Sequence, residues 1–204
     1  MSQHKPGTMV RQFDEGLTDE DLKKLPVSQF DGKIVLVDTL DKFYHILSDI
    51  KKSKLLGFDT ETKPNFKKGQ KNVVSLLQLA DDHQAWIIRL NAIGLPRELA
   101  DIMSDPRTIK VGVAIHDDIK ALRHLRAFEP AGFVDLQNIV ADHGRKQMGL
   151  KKLSAIVLGF SISKSQQVSN WETPALTWPQ QLYAATDAWV CHRIYQKING
   201  HDGL

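Results

Sequence analysis

The sequence predicts an α/β fold of three layers, a mixed five- or six-stranded sheet flanked by helices. Three observations predict it. Apolar runs at 55–60, 73–79 and 85–89 follow one another with short connections, which makes them antiparallel neighbours. Helical and strand-like segments then alternate, the pattern of a sheet covered by helices. A chain of 204 residues, 42% apolar and 25% charged, has the size and balance to bury one core without staples.

Taken in order, the first 17 residues show no periodicity and are expected to be a mobile arm. Thr18 and Asp21 have capping-box spacing, and Pro26 stops the short helix they begin. The expected organisation is an N-terminal arm with a short helix over 1–28, then one domain over 29–204. Residues 33–38 read as a strand, and Thr39 to Lys52 as a helix. Leu55–Thr60, Val73–Leu79 and Ala85–Arg89 are the three neighbouring strands. Leu95–Ser104 reads as a helix and Thr108–Val113 as a buried strand. Ile115–Leu125 is helical, Phe133–Asp135 a short strand, and 149–158 and 179–198 are helices.

The single cysteine, Cys191, excludes an internal disulfide framework and fits a reducing compartment. It reads as a small apolar residue on a helix. No apolar run approaches the roughly 18 residues of a membrane span. The first 30 residues lack the apolar stretch of a secretory signal. A cytoplasmic protein with no membrane contact is therefore expected. A net charge of +3 permits a polyanionic partner without demanding one.

Four carboxylates carry the chemistry. Asp59 and Glu61 lie two apart at the end of the apolar run Leu55-Leu56-Gly57-Phe58, so they share one face of a strand. Like charges so close repel, and a cation between them would relieve both. Alone, the pair fits a strand ending in solvent at least as well. In the next helix Ile115, Ile119 and Leu122 form the apolar stripe. Asp118 borders that stripe, while Asp117 lies on the far side as a first-turn acid. Asp118 alone is equally a helix-start carboxylate. In the last helix Tyr183, Asp187, Val190 and Ile194 fall at i, i+4, i+7 and i+11, one inward stripe. A buried tyrosine and aspartate on one stripe are equally a structural hydrogen-bonded pair. Together, four acids at strand ends and inward helix faces suit a hard divalent ion such as Mg²⁺ or Mn²⁺. The scattered histidines and lone cysteine offer no zinc alternative.

Asp59-Thr60-Glu61, Asp118 and Tyr183-x-x-x-Asp187 match, in order, the three exonuclease motifs of the DEDD superfamily. The tyrosine places the chain in the subgroup named for that residue. Further stretches resemble the exonuclease domain of the Werner syndrome protein and bacterial ribonuclease D. They include Ser75-Leu76-Leu77-Gln78-Leu79, Val111-Gly112-Val113, Val134-Asp135-Leu136, Gly149-Leu150-Lys151-Lys152-Leu153, and Lys164 followed by Ser169-Asn170-Trp171. The resemblance spans about Lys33 to Ile198. It implies a ribonuclease H-like fold, two divalent cations, and stepwise release of nucleoside monophosphates from a 3′ end. By the same resemblance, Asp59 serves both ions, Glu61 and Asp187 complete one site, Asp118 serves the second, and Tyr183 orients water. One departure is Asp117, where relatives usually carry glycine or another residue. It leaves open which of the two acids the metal prefers.

The expected partner is a DNA or RNA 3′ end, with DNA favoured. A separate helicase or repair chain is a further expected partner. Thr60 and the basic segment after it are candidate substrate contacts. In that segment Phe66 offers a stacking face, and Lys67 and Lys68 offer charge to phosphates. The bland alternative is a solvated connection. Lys164 is a further candidate contact. Trp171 is another, its alternative being a core residue. Two rival readings remain: ribonuclease D-like trimming of RNA, and a catalytically silent nucleic-acid-binding module on the same fold.

Overall fold

The structure, a computed structural model, describes residues 18–63, 73–141 and 148–200. The elements in chain order are α1 (Asp19–Lys24), β1 (Lys33–Val37), α2 (Leu40–Lys52), β2 (Leu55–Thr62), β3 (Val74–Ala80) and β4 (Gln84–Arg89). There follow α3 (Leu90–Ile93), α4 (Arg97–Met103), β5 (Ile109–Gly112), α5 (His116–Leu125), β6 (Phe133–Asp135) and α6 (Leu136–Ala141). The last two are α7 (Leu150–Leu158) and α8 (Trp178–Ile198). The six strands form one sheet in the order β1-β4-β3-β2-β5-β6. β2, β3 and β4 pair antiparallel, while β1 on β4 and β5 and β6 beyond β2 pair parallel. The expected mixed, helix-flanked sheet is what forms. Among the described residues no helix is long and apolar enough to cross a membrane.

Alternation along the strands divides the core into two layers. Leu56, Phe58, Leu77, Leu79, Trp86 and Ile88 pack with Phe43 and Ile50 of α2, Leu99 and Met103 of α4, and Leu122 of α5. On the opposite face Leu76, Ala80, Ala85 and Ile87 meet Ala184, Ala185 and Ala188 of α8. The small residues of α8 let it lie directly on the sheet. A Cβ added to Gly57 would fall 1.8 Å from the Ala188 carbonyl oxygen. Gly57→Ala is therefore expected to destabilise the fold by about 3 kcal/mol, the upper range of overpacking. A urea titration reads it, and an unchanged midpoint would show that α8 is not seated on Gly57.

Two helices escape the sequence reading. α3 begins with no break after β4, and its four residues are too short for periodicity. α6 follows β6 directly, its first turn held by Asp135, whose Oδ1 accepts from the Gln137 N–H at 2.9 Å. The expected helix 95–104 starts later, because Pro96 is its N-cap residue. α8 is buried around most of its middle, not along one stripe, since α7 covers what the sheet does not. Lys110, fully buried in β5, donates to the carbonyls of Ile102, Asp105 and Thr108 at 2.8–3.0 Å. All three of its protons are used, tying the end of α4 to the sheet.

Candidate active site

The carboxylates converge at the end of β2. Gly57, Asp59 and Glu61 share the face under α8, and Leu56, Phe58 and Thr60 the opposite face. One α8 turn beyond Tyr183, Asp187 is buried against this strand end. Oxygens of Asp59, Glu61 and Asp187 all lie within 4.8 Å of one another. Asp118 arrives from the other face on α5, where the Thr60 hydroxyl donates to it. Two flanking elements thus bring an acid to one strand end from both sides of the sheet.

The corner before α5 sets Asp118. Ala114 has φ 58°, a left-handed conformation that costs a residue with a Cβ about 1 kcal/mol or more. Asp135 offsets it: its carboxylate accepts the N–H groups of Ala114 and Ile115 at 3.0 and 3.1 Å. Sequence reasoning matched Asp135 to a motif without giving it a role. An acid ending a strand beside a strand-to-helix corner was the available signal. Asp117 is exposed on this helix and Asp118 half-buried.

The electrostatics show a site short of positive charge. Burial first, then Asp187, Glu61 and Asp118, push the Asp59 carboxyl well above the usual range. Burial, Asp187 and Asp118 push Glu61 up to about 8. Asp187 is also raised by burial, restrained by the Tyr183 hydroxyl and by Lys164. Burial raises Asp118, and the Thr60 hydroxyl opposes it. A buried set of oxygens that raise one another's affinity for protons is the donor set a hard divalent cation fits. Asp59, Glu61 and Asp187 could hold one, with Asp118 in electrostatic reach.

Tyr183 completes this side. Burial, then Asp187 and Glu61, push its hydroxyl above its ordinary 10. Trp171 is fully buried with its ring 5.9 Å from that of Tyr183. Of the two readings the sequence offered for Trp171, substrate contact or core residue, the structure bears out the second: it has no exposed face and backs the tyrosine. Its segment is fastened: Gln180 Nε2 donates to Ser169 Oγ at 2.7 Å and to the Asn170 carbonyl at 3.2 Å. The Arg89 guanidinium donates to the carbonyls of Thr173 and Pro174 at 2.5 and 2.6 Å.

A cleft of about 580 Å³ opens on Asp59, Tyr183 and Asp187, with Lys23, Lys151, Lys152 and Lys164 along it. A second hollow, about 750 Å³, opens on Thr60, Asp117 and Asp118. Lys164, a candidate substrate contact, lines the first cleft together with the acids, and the hydroxyl of Thr60, another candidate, donates to Asp118. Phe66, Lys67 and Lys68 lie outside the described residues. Lys23, Lys151 and Lys152 were not foreseen at the site. The pair in α7 had its signal in the matched Gly149–Leu153 stretch. Cys191 also lines the cleft, its thiol raised by burial.

Fold and site together define a class: a ribonuclease H-like fold, a mixed six-stranded sheet flanked by helices, with a cluster of acids suited to metal. The chain belongs to the 3′-5′ exonuclease family, whose model matches residues 34–201. It is 37% identical over 150 residues to exonuclease 3′-5′ domain-containing protein 2 of Drosophila melanogaster, covering 71% of this chain and 25% of that one. It is 30% identical over 186 residues to the mouse bifunctional 3′-5′ exonuclease/ATP-dependent helicase WRN, covering 85% of this chain and 13% of that one. The Nibbler EXO domain of Aedes aegypti shares its fold, with TM-score 0.77 and 28% identity over 86% of this chain and 92% of that one. The chain thus spans a quarter or less of the length of these two full-length relatives.

Proposed function

We propose that this chain removes nucleoside 5′-monophosphates one at a time from a nucleic-acid 3′ end. DNA is the favoured strand, and two divalent ions, Mg²⁺ or Mn²⁺, are held by Asp59, Glu61, Asp118 and Asp187. The observation that carries this reading is the three-acid cluster, its oxygens within 4.8 Å, beside Tyr183 in a lysine-lined cleft. Bound ions supply the charge that makes water nucleophilic near neutral pH and offsets charge on the leaving oxygen. The protein's own groups do the rest. Lys164 faces the phosphate. The Tyr183 hydroxyl orients the attacking water and, raised above its ordinary pKa, keeps its own proton. The Thr60 hydroxyl and the Asp135-capped corner hold Asp118 in place.

Support for DNA comes from the motif-by-motif resemblance to the Werner-type exonuclease domain. A separate helicase or repair chain is the partner this implies, since the mouse relative's name joins both activities in one protein. Matched 5′-labelled DNA and RNA single strands, incubated with Mn²⁺ or Mg²⁺, test the reading. Ladders shortening from the 3′ end are expected, faster for DNA. A strong preference for RNA would move the assignment to ribonuclease D-like trimming. Binding of 3′ ends without mononucleotide release would leave a silent binding module.

Tyr183→Phe keeps the ring that packs on Trp171 and removes only the hydroxyl. It is expected to lower kcat roughly 10²-fold, the low end for a positioned hydrogen-bonding group, with KM little changed. A variant as fast as the parent would remove Tyr183 from the chemistry.

A further inference from the structure

The family match begins at residue 34, yet the cleft does not. Leu22 and Lys23 of α1 line the same cleft as Asp59, Tyr183 and Asp187. The segment carrying them is latched to the domain at two places. The Ser161 N–H donates to the Pro26 carbonyl at 2.8 Å, and the Ser28 N–H donates to the Ser161 carbonyl at 2.9 Å, a parallel bridge at Val27. The Phe30 N–H donates to Thr186 Oγ1 at 3.1 Å, with the Phe30 ring buried against Trp189. Ser161 lies three residues before Lys164, and Thr186 directly precedes Asp187. The latch therefore fixes α1 relative to both the cationic and the acidic sides of the cleft.

Charge gives this wall its meaning. The side chains lining the cleft include four lysines, of which Lys23 alone comes from outside the family match. The anions among them are Asp59 and Asp187, which face the metal position. Cations lining a cleft that opens on a metal site suit the phosphates of a strand whose end is being processed. Lys24, the next residue on α1, lies 3.5 Å from Asp21 and is not among the lining residues.

We propose that α1 forms a wall of the substrate cleft and that Lys23 binds a backbone phosphate of single-stranded nucleic acid, upstream of the scissile bond. This rests on the exonuclease reading for the identity of the strand. The subsite would be specific to chains carrying this helix.

The test is equilibrium binding of a fluorescein-labelled ten-nucleotide single strand, read by anisotropy across a salt series, with Ca²⁺ in place of the working ion. The proteins are the parent, Lys23→Gln and Lys24→Gln. Both substitutions remove one positive charge from one exposed helix, so neither threatens the core. Lys23→Gln is expected to weaken binding several-fold and to flatten the log–log salt slope by about 0.7, one phosphate contact to a single strand. Lys24→Gln is expected to match the parent, and a dinucleotide, lacking an upstream phosphate, is expected to show little difference among the three. An unchanged slope in Lys23→Gln, an equal effect of Lys24→Gln, or an equal loss on the dinucleotide would overturn the proposal. A silent chain would still show the Lys23 effect on binding, while releasing no mononucleotide in Mn²⁺. Failure of the exonuclease reading is thereby told apart from failure of the subsite.

Discussion

Asp59→Asn is expected to abolish nucleotide release while making the metal-free protein more stable. The two effects share one cause. The Asp59 carboxylate is buried beside Asp187 and Glu61, with Asp118 close enough to add to the repulsion. An amide of the same shape removes one of these charges and keeps the packing. Without divalent ions, each kcal/mol of relieved repulsion raises the Tm of a domain this size by about 2–4 °C. With ions, the variant lacks the ligand at the centre of the cluster. Removing one preorganised charged group typically costs on the order of 10²–10³-fold in kcat, and loss of an ion adds to that. Melting with EDTA and turnover with Mn²⁺ read both. A variant less stable than the parent in EDTA would mean that the acids are not mutually repelled. One that still releases nucleotides at the parent rate would sink the metal assignment.

The second large effect is on pH dependence. In EDTA, Tm is expected to fall as pH rises from about 6.5 to about 8, and Mn²⁺ is expected to reverse that trend. The acids of the cluster are raised in the folded state, so folding takes up protons. Their contribution is complete below the unfolded carboxylate pKa, near 4, and is lost as pH rises through the folded value, about 8 for Glu61. Buried His192 works the other way. Burial lowers its pKa below 6.5, so its contribution is lost as pH falls beneath that value. The acids therefore dominate from 6.5 up to about 8, the value to which burial lowers Lys110 and above which its loss of a proton opposes their trend. Ions bind the deprotonated cluster, so their stabilisation grows with pH over the same window. A flat Tm in EDTA, or a Mn²⁺ effect that shrinks with pH, would contradict the charge deficit at the site.

Much of this was legible before the structure, and the reasons differ by residue. Asp59 and Glu61 were readable because strand alternation puts them on one face, and the run before them is apolar. Asp118 and Asp187 were readable from the helical stripes of their neighbours. The antiparallel trio was legible from short connections. The corner at Ala114 was not, because a left-handed alanine has no sequence mark and its partner Asp135 lies 21 residues on. Trp171 shows the limit of type-based reasoning: residue type left it open between a substrate contact and a core residue, and only packing made it the support behind Tyr183. The role of α1 was hidden for another reason. Its capping box announced a helix, but periodicity says nothing about where a six-residue helix docks. That is decided by two backbone hydrogen bonds to Ser161, and main-chain groups carry no signature in the side chains.

Gly57 has one more consequence. Where α8 crosses β2, main chain rests on main chain with no side chain between them. The gap between the carboxylates of Asp59 and Asp187 is therefore gauged by two rigid backbones, not by a compressible filling. Repacking the apolar layers would leave that gauge almost untouched. Selectivity between ions of different radius would have to be altered through the carboxylates themselves, for instance by exchanging Glu61 for the shorter aspartate. A library built on core substitutions is thus a poor route to a changed metal preference in this fold.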